Sequence, residues 1–228
     1  MSSVEPVPMP EAAARGGRRT RLGRAGLVVY NILYWPYLMG TCAVLFWPAL
    51  VIWLATVAWD RDRRLLHRFT SVWGAHYLSW APFAGTTVEG RERLDLSKPY
   101  VFVANHQSMV DILAVFATHL PYKWVSKIEN FYVPFIGWAM SLNGYVKLRR
   151  RHLPSILRMF RASMRWLDRG VSVFVFPEGT RSPDRELQPF HRGAFALACR
   201  TGVAIVPVVI EGTGEILGKG SFHIAPRP

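Results

Sequence analysis

A histidine and an aspartate stand five residues apart in Asn105-His106-Gln107-Ser108-Met109-Val110-Asp111, directly after the apolar run Tyr100 to Ala104. At about 100° per residue, a regular helix would leave the two side chains about 140° apart, so they meet only if His106 lies in a loop and Asp111 in the first turn of a helix. A strand end followed by a helix start meets that condition. An imidazole held there against a carboxylate has its tautomer set and its other nitrogen free to take a proton, which makes a general base with its orienter. Ser108 to Asp111 also matches the S-x-x-[DE] capping box, in which Asp111 would tie down helix amides and His106 would be a plain loop residue. The residues alone leave both readings open.

A second constellation, Phe176-Pro177-Glu178-Gly179-Thr180-Arg181-Ser182, closes the apolar run Val171 to Phe176. Ligands bind at strand ends in α/β sheets, and a glycine there lets backbone amides approach an anion. Arg181 offers a planar fork that matches phosphate, and Glu178 would position that fork or bind a substrate hydroxyl. A local ion pair between Glu178 and Arg181 in a polar turn is the alternative. A third cluster, Lys147, Arg149, Arg150 and Arg151 after Gly144-Tyr145-Val146, reads either as a second phosphate clamp or as the start of a basic helix.

These groups need a frame to hold them. From residue 86 onward, strand-like runs at Tyr100 to Ala104, Lys123 to Val125, Val171 to Phe176 and Ala204 to Ile210 alternate with helical patterns, among them Val110 to Thr118. The alternation predicts an α/β domain. Ser155 to Arg169 sets Ile156, Phe160, Met164 and Leu167 on one side and Arg158, Arg161, Arg165 and Arg169 on another. It reads as an amphipathic helix whose basic face is a solvated or membrane-facing surface.

Upstream, Leu27 to Trp59 carries no formal charge, is rich in Leu, Val and Ala, and contains Tyr30, Tyr34, Trp35, Tyr37, Trp47, Trp53 and Trp59. Its length falls between one membrane span of about 20 residues and two spans with a turn. Pro36, Gly40 and Pro48 offer places to break a helix, and the aromatic residues suit a headgroup boundary. Arginines flank it on both sides, Arg15 to Arg24 before and Arg61 to Arg68 after. The positive-inside tendency would keep both flanks on the cytoplasmic side, which predicts a helical hairpin dipping into one leaflet; a single span is the alternative. Residues 62–80 read as an amphipathic helix ending before Pro82, with His67 and His76 as face or packing residues. The expected organisation is a basic tail without a fold of its own at residues 1–26, a membrane-associated helical segment at 27–80 and a catalytic domain at 81–228.

A chain of 228 residues suits one catalytic domain with an appendage. Its formal charge of +13 calls for a polyanionic partner: nucleic acid, an anionic membrane surface or a phosphorylated substrate. Most Trp and Tyr cluster in or near the apolar run instead of interleaving with the basic groups, which argues against nucleic acid. The two cysteines, Cys42 and Cys199, belong to no CxxC pair, so neither a disulfide framework nor a cysteine metal site is expected.

The His106 and Glu178 segments together resemble the two signature motifs of the glycerolipid acyltransferases, specifically the 1-acylglycerol-3-phosphate (lysophosphatidic acid) O-acyltransferases. The resemblance extends to Lys127, Pro134 and Gly137, to the Gly144 to Arg150 block and to Val206-Pro207-Val208, and so runs from Trp80 to Gly214. It implies an α/β acyltransferase domain with a mixed sheet flanked by helices, behind the N-terminal membrane-embedded hairpin. It also implies that His106 is the base, Asp111 its partner, Glu178, Gly179, Thr180 and Arg181 the acceptor-binding loop, and Arg150 a phosphate ligand, with Lys127 also in the substrate site. Lys147 stands where the family's third motif carries an apolar residue, which leaves open whether Arg149 or Arg150 is the matching arginine. Family members continue with further strand sequence where this chain stops at Pro228, so a C-terminal truncation is expected.

The activity so implied is acyl transfer to the free hydroxyl of lysophosphatidic acid, forming phosphatidic acid, with acyl-CoA or acyl carrier protein as donor. No metal and no cofactor are expected. The partners are membrane lipids and the lysophospholipid acceptor, and the active site would lie on the cytoplasmic face of the cell membrane. A lyso-ornithine lipid or glycerol 3-phosphate is the alternative acceptor, and a non-enzymatic basic protein bound to membranes or nucleic acid is the alternative from another class. The chain has no G-x-S-x-G elbow, and Ser108 suits a cap, so transfer is expected to be direct, without an acyl-enzyme.

Overall fold

A computed structural model of the chain describes residues 23–79 and 86–225. Most of the expected basic tail and the expected helix end at Trp80 to Pro82 lie outside the described residues. In chain order the elements are α1 (Arg24–Thr56), α2 (Arg64–His76), β1 (Val101–Ala104), α3 (Val110–Ala117), β2 (Tyr122–Lys127), α4 (Ile136–Leu142), β3 (Val146–Leu148), α5 (Leu153–Asp168), β4 (Ser172–Val175), α6 (Gly193–Thr201), β5 (Ile205–Val208) and α7 (Thr213–Ile216).

The sheet has the order β3-β2-β4-β1-β5. All its ladders are parallel, with Val101 opposite Val173 on one side and Ile205 on the other. The mixed sheet expected from the sequence is therefore corrected to a parallel one. The cause is the connectivity: a helix after each of β1 to β4 returns the chain to the same edge before the next strand starts. The central strands are covered on both faces and read as continuous apolar runs, as in β1, where all residues are buried. Pro207 cannot donate to a ladder, and it sits on β5, an edge strand, where the missing donor costs least.

The two sheet faces carry different cores. Phe102, Tyr122, Trp124 and Phe174 form an aromatic layer beneath α2 and α3, while Val101, Val103 and Val173 pack against Leu167 of α5 and Ala194, Leu197 and Ala198 of α6. Gly74 lets α2 lie directly on the Phe116 ring of α3, where any Cβ would collide with it.

α1 departs from the expected hairpin. It runs unbroken through Pro36 and Pro48, and the chain reverses only after Thr56, to enter α2. Tyr34, Cys42, Phe46, Ala49 and Thr56 form a buried stripe at helical spacing against α2, α4 and their neighbours. That packing holds the helix through positions where a free helix would kink. Its other side exposes Val29, Ile32, Leu33, Val44, Trp47, Val51 and Leu54. Asp60 in the following turn accepts from the amides of Arg64 and Leu65 at 2.9 Å and so caps α2.

His67 is a packing residue. Its Nε2 donates to the Leu120 carbonyl at 2.9 Å and its Nδ1 lies 2.9 Å from the Tyr145 hydroxyl, a pattern that suits a neutral ring. Burial, reinforced by the nearby Lys123 ammonium, pushes its pKa down to about 3. The unfolded chain therefore takes up a proton below its ordinary value of 6.5 that the folded chain refuses until about pH 3, so stability is greatest above pH 6.5 and falls as pH drops towards 3. Between pH 7 and pH 5 the loss from this one group is about 2 kcal/mol. Thermal unfolding of His67→Gln is expected to show a correspondingly shallower decline over that interval, and an unchanged slope would contradict this assignment.

Candidate active site

β1 ends at Ala104 and α3 begins at Val110, so His106 lies in the intervening loop and Asp111 in the first helical turn. His106 Nδ1 and Asp111 Oδ2 are 2.8 Å apart. The same oxygen accepts from the amides of Gln107 at 2.7 Å and Ser108 at 2.9 Å. The two readings left open by the sequence thus coexist. Asp111 ties down the helix start, with Ser108 Oγ accepting from Val110 N at 3.1 Å, and also receives the imidazole N–H. Asp111 is fully buried, whereas the His106 side chain is 15% exposed. A carboxylate facing Nδ1 puts the proton there and leaves the Nε2 lone pair, which has no protein partner among the described residues.

The plane of the imidazole is set by Phe176, at the end of β4, which stacks on it with centroids 4.0 Å apart and 15° between planes. β4 lies beside β1, so the Glu178 segment emerges next to the histidine. Glu178 is buried, and its oxygens accept from the backbone N–H of His106 at 2.6 Å and of Gln188 at 3.1 Å. It forms no ion pair with Arg181 and acts as a brace between the two signature segments, with both oxygens committed to backbone amides. A further strut runs from Ser182 N to the His106 carbonyl at 2.7 Å. Gly179 has φ of +70°, and a Cβ there would lie 2.9 Å from the His191 ring, so the turn requires glycine on both counts. Thr180 is exposed and Arg181 half-buried. Among the described residues the Arg181 guanidinium has no carboxylate partner, and the amides of Thr180 and Arg181 donate to no protein acceptor.

The other predicted site residues lie farther along the same carboxyl edge of the sheet. Lys127 ends β2, with Glu129 3.5 Å away, and Arg149 and Arg150 follow β3, both exposed. β3 is three strands from β1, about 14 Å at ordinary strand spacing. The fold brings His106, Asp111, Glu178 and the Arg181 loop into one cluster and leaves Lys127, Arg149 and Arg150 on a cationic ledge beside it.

One functional residue escaped the sequence reading. Thr213, at the start of α7, donates its hydroxyl to the second oxygen of Asp111 across a sequence separation of 102 residues. It is buried, so its loss strands a carboxylate oxygen away from water. The signal available in the sequence was only the Gly212-Thr213-Gly214 turn after the fifth strand. Thr213→Val, close in shape but without the hydroxyl, is expected to lower kcat about 10-fold or more, the equivalent of roughly 1–3 kcal/mol for an unsatisfied buried acceptor, while Thr213→Ser retains most of it. Equal activity of the two variants would remove Thr213 from the positioning of Asp111.

The acyltransferase family model matches residues 85–211, which hold the His106 and Glu178 segments, the helices α3 to α6 and the strands β1 to β5. The chain belongs to the acyltransferase family. Among its relatives, a chloroplastic 1-acyl-sn-glycerol-3-phosphate acyltransferase of Brassica napus is 44% identical over 72% of this chain and 48% of that protein. A 1-acyl-sn-glycerol-3-phosphate acyltransferase of Chlamydomonas reinhardtii is 36% identical over 94% of this chain and 63% of its own length. The chain therefore spans about half to two thirds of the length of these curated relatives. The crystal structure of the 1-acyl-sn-glycerophosphate acyltransferase of Thermotoga maritima matches with a TM-score of 0.71 and 28% identity, covering 88% of this chain and 82% of that one. The likeness to that structure extends over the parallel sheet and its flanking helices.

Proposed function

We propose that this acyltransferase moves an acyl group from a thioester, acyl-CoA or acyl carrier protein, to the free hydroxyl of lysophosphatidic acid, forming phosphatidic acid. The observation that carries the reading is the His106 to Asp111 contact, with Nε2 uncommitted, beside the unpaired Arg181. His106 Nε2 takes the hydroxyl proton as that oxygen bonds to the acyl carbon. The carbon–sulfur bond then breaks, and the proton passes to the departing thiolate. Asp111 stabilises the imidazolium between these steps. Arg181 and the open amides of its loop take the acceptor phosphate, with Arg149, Arg150 and Lys127 as the neighbouring cationic ledge. This chemistry calls on no metal or other cofactor.

α1 supports attachment to a membrane. The helix Ala25–Thr56 is long and apolar enough to cross one, with a mean hydropathy of 2.0 over an 18-residue stretch within it. Yet the buried stripe from Tyr34 to Thr56 ties the helix to the charged catalytic domain along most of its length. A crossing would drag that domain into the bilayer. The helix instead lies along the surface with its outward Val, Ile, Leu and Trp face in one leaflet, which holds the site at the cytoplasmic face of the membrane.

Detergent-solubilised protein given an acyl-CoA and a panel of lysophosphatidic acid, glycerol 3-phosphate and a lyso-ornithine lipid should acylate the first; preference for another acceptor would overturn the assignment. Arg181→Lys keeps a charge but loses the fork, so acceptor KM is expected to rise roughly 10-fold, about 1.4 kcal/mol, with donor KM unchanged. A parallel rise for both substrates would place Arg181 elsewhere.

A further inference from the structure

A groove of about 910 Å³ runs along α5, away from His106. Its floor is Ile128, Val146 and Trp166, and its rim carries Lys147, Arg158, Arg161 and Arg165, with Asp168 and Arg169 at the far end. Arg169 is paired with Asp62, whereas the other four cations form no ion pair among the described residues. All four are exposed. Unpaired cations of one sign around a concave apolar floor call for an anionic occupant.

The fold narrows the choice. α5 covers the sheet face of Val101, Val103 and Val173, while the apolar helix α1 packs with α2, α3 and α4, on the opposite side. The groove therefore faces away from the membrane-facing surface of α1, towards water, and a soluble occupant fits it better than a bilayer. Arg158, Arg161 and Arg165 stand at i, i+3 and i+7 on one helix face, a row about 10 Å long. Carboxylates at the same spacing on a partner helix meet them in register, whereas a compact phosphate cluster would engage one end of the row.

The geometry points to this groove as the docking surface for an acidic helix of the protein that carries the acyl thioester. The inference rests on the acyl-transfer reading above. It also fits the topology: β3, at the groove, lies three strand spacings, about 14 Å, from β1, the strand that leads to His106, and a thioester on a long flexible arm can bridge a separation of that order while its carrier stays docked.

The test uses the full chain and its variant Arg158→Glu, Arg161→Glu, Arg165→Glu, with the neutral variant of the same positions to Gln as a milder companion. Fluorescence anisotropy with purified acyl carrier protein should show binding that weakens with salt and falls more than 10-fold in the Glu variant and part-way in the Gln variant. KM for acyl carrier protein as donor should rise at least as much, with KM for acyl-CoA and binding to phosphatidylglycerol vesicles unchanged. No binding by the unaltered chain, or equal binding by the variants, would overturn the proposal. An equal rise in KM for both donors would assign the groove to a nucleotide, and loss of vesicle binding alone would assign it to the membrane; either rejects the carrier. Carrier binding lost in the variants, in a protein that transfers acyl groups from neither donor, would uphold the docking surface and reject the acyl-transfer reading instead.

Discussion

Replacing His106 with Ala is expected to cut kcat by about 10²–10⁴-fold, the range that a positioned general base contributes. Stability should change little. The ring is partly exposed, and its polar contact within the protein is to Asp111, which keeps the Gln107, Ser108 and Thr213 donors when the imidazole is gone. The thermal midpoint and membrane association should therefore stay close to those of the unaltered chain. Activity that survives the change would reduce His106 to a loop residue and leave Asp111 as a cap alone.

Asp111→Asn is expected to be as damaging to turnover and more damaging to the fold. The carboxylate receives donors from His106, Gln107, Ser108 and Thr213, and it is fully buried. An amide of the same shape must turn an N–H towards at least one of those donors. The expected cost is about 1–3 kcal/mol of stability for an unmatched buried polar group. If the amide nitrogen faces Nδ1, the imidazole loses its proton there and Nε2 becomes the protonated atom, so the base is in the wrong tautomer. Measured together, kcat and the thermal midpoint separate the two functions of this side chain: a stability loss with unchanged kcat would leave only helix capping.

A direct transfer through His106 also requires donor and acceptor to be bound together. Cys42 is buried against α2 and Cys199 is exposed on α6, on the sheet face opposite α3, so neither lies in the cluster that holds His106. The Ser108 hydroxyl, which lies near the base in sequence, is turned away from it, donating to the Leu217 carbonyl at 2.6 Å and accepting from Val110 N.

The local signals in the sequence determined much of this protein. Apolar runs marked the strands, and the five-residue spacing of His106 and Asp111 required the loop-to-helix junction that is present. Such features depend on residues that are neighbours in the chain, so their consequence is settled within one strand end and one helical turn. Three things depended on tertiary contacts. The sheet is wholly parallel because of where each returning helix sets the chain down, which no single segment encodes. α1 stays continuous through two prolines because α2 and α4 support one side of it, so its local breakers were outweighed by packing. The bracing role of Glu178 and the contact of Thr213 were beyond sequence reasoning for the same reason: Glu178 is spent on the amides of His106 and Gln188 instead of the adjacent Arg181, and Thr213 completes Asp111 from a separation of 102 residues. A buried carboxylate takes whichever donors the fold brings to it, and those donors are fixed only when the strands have found their order.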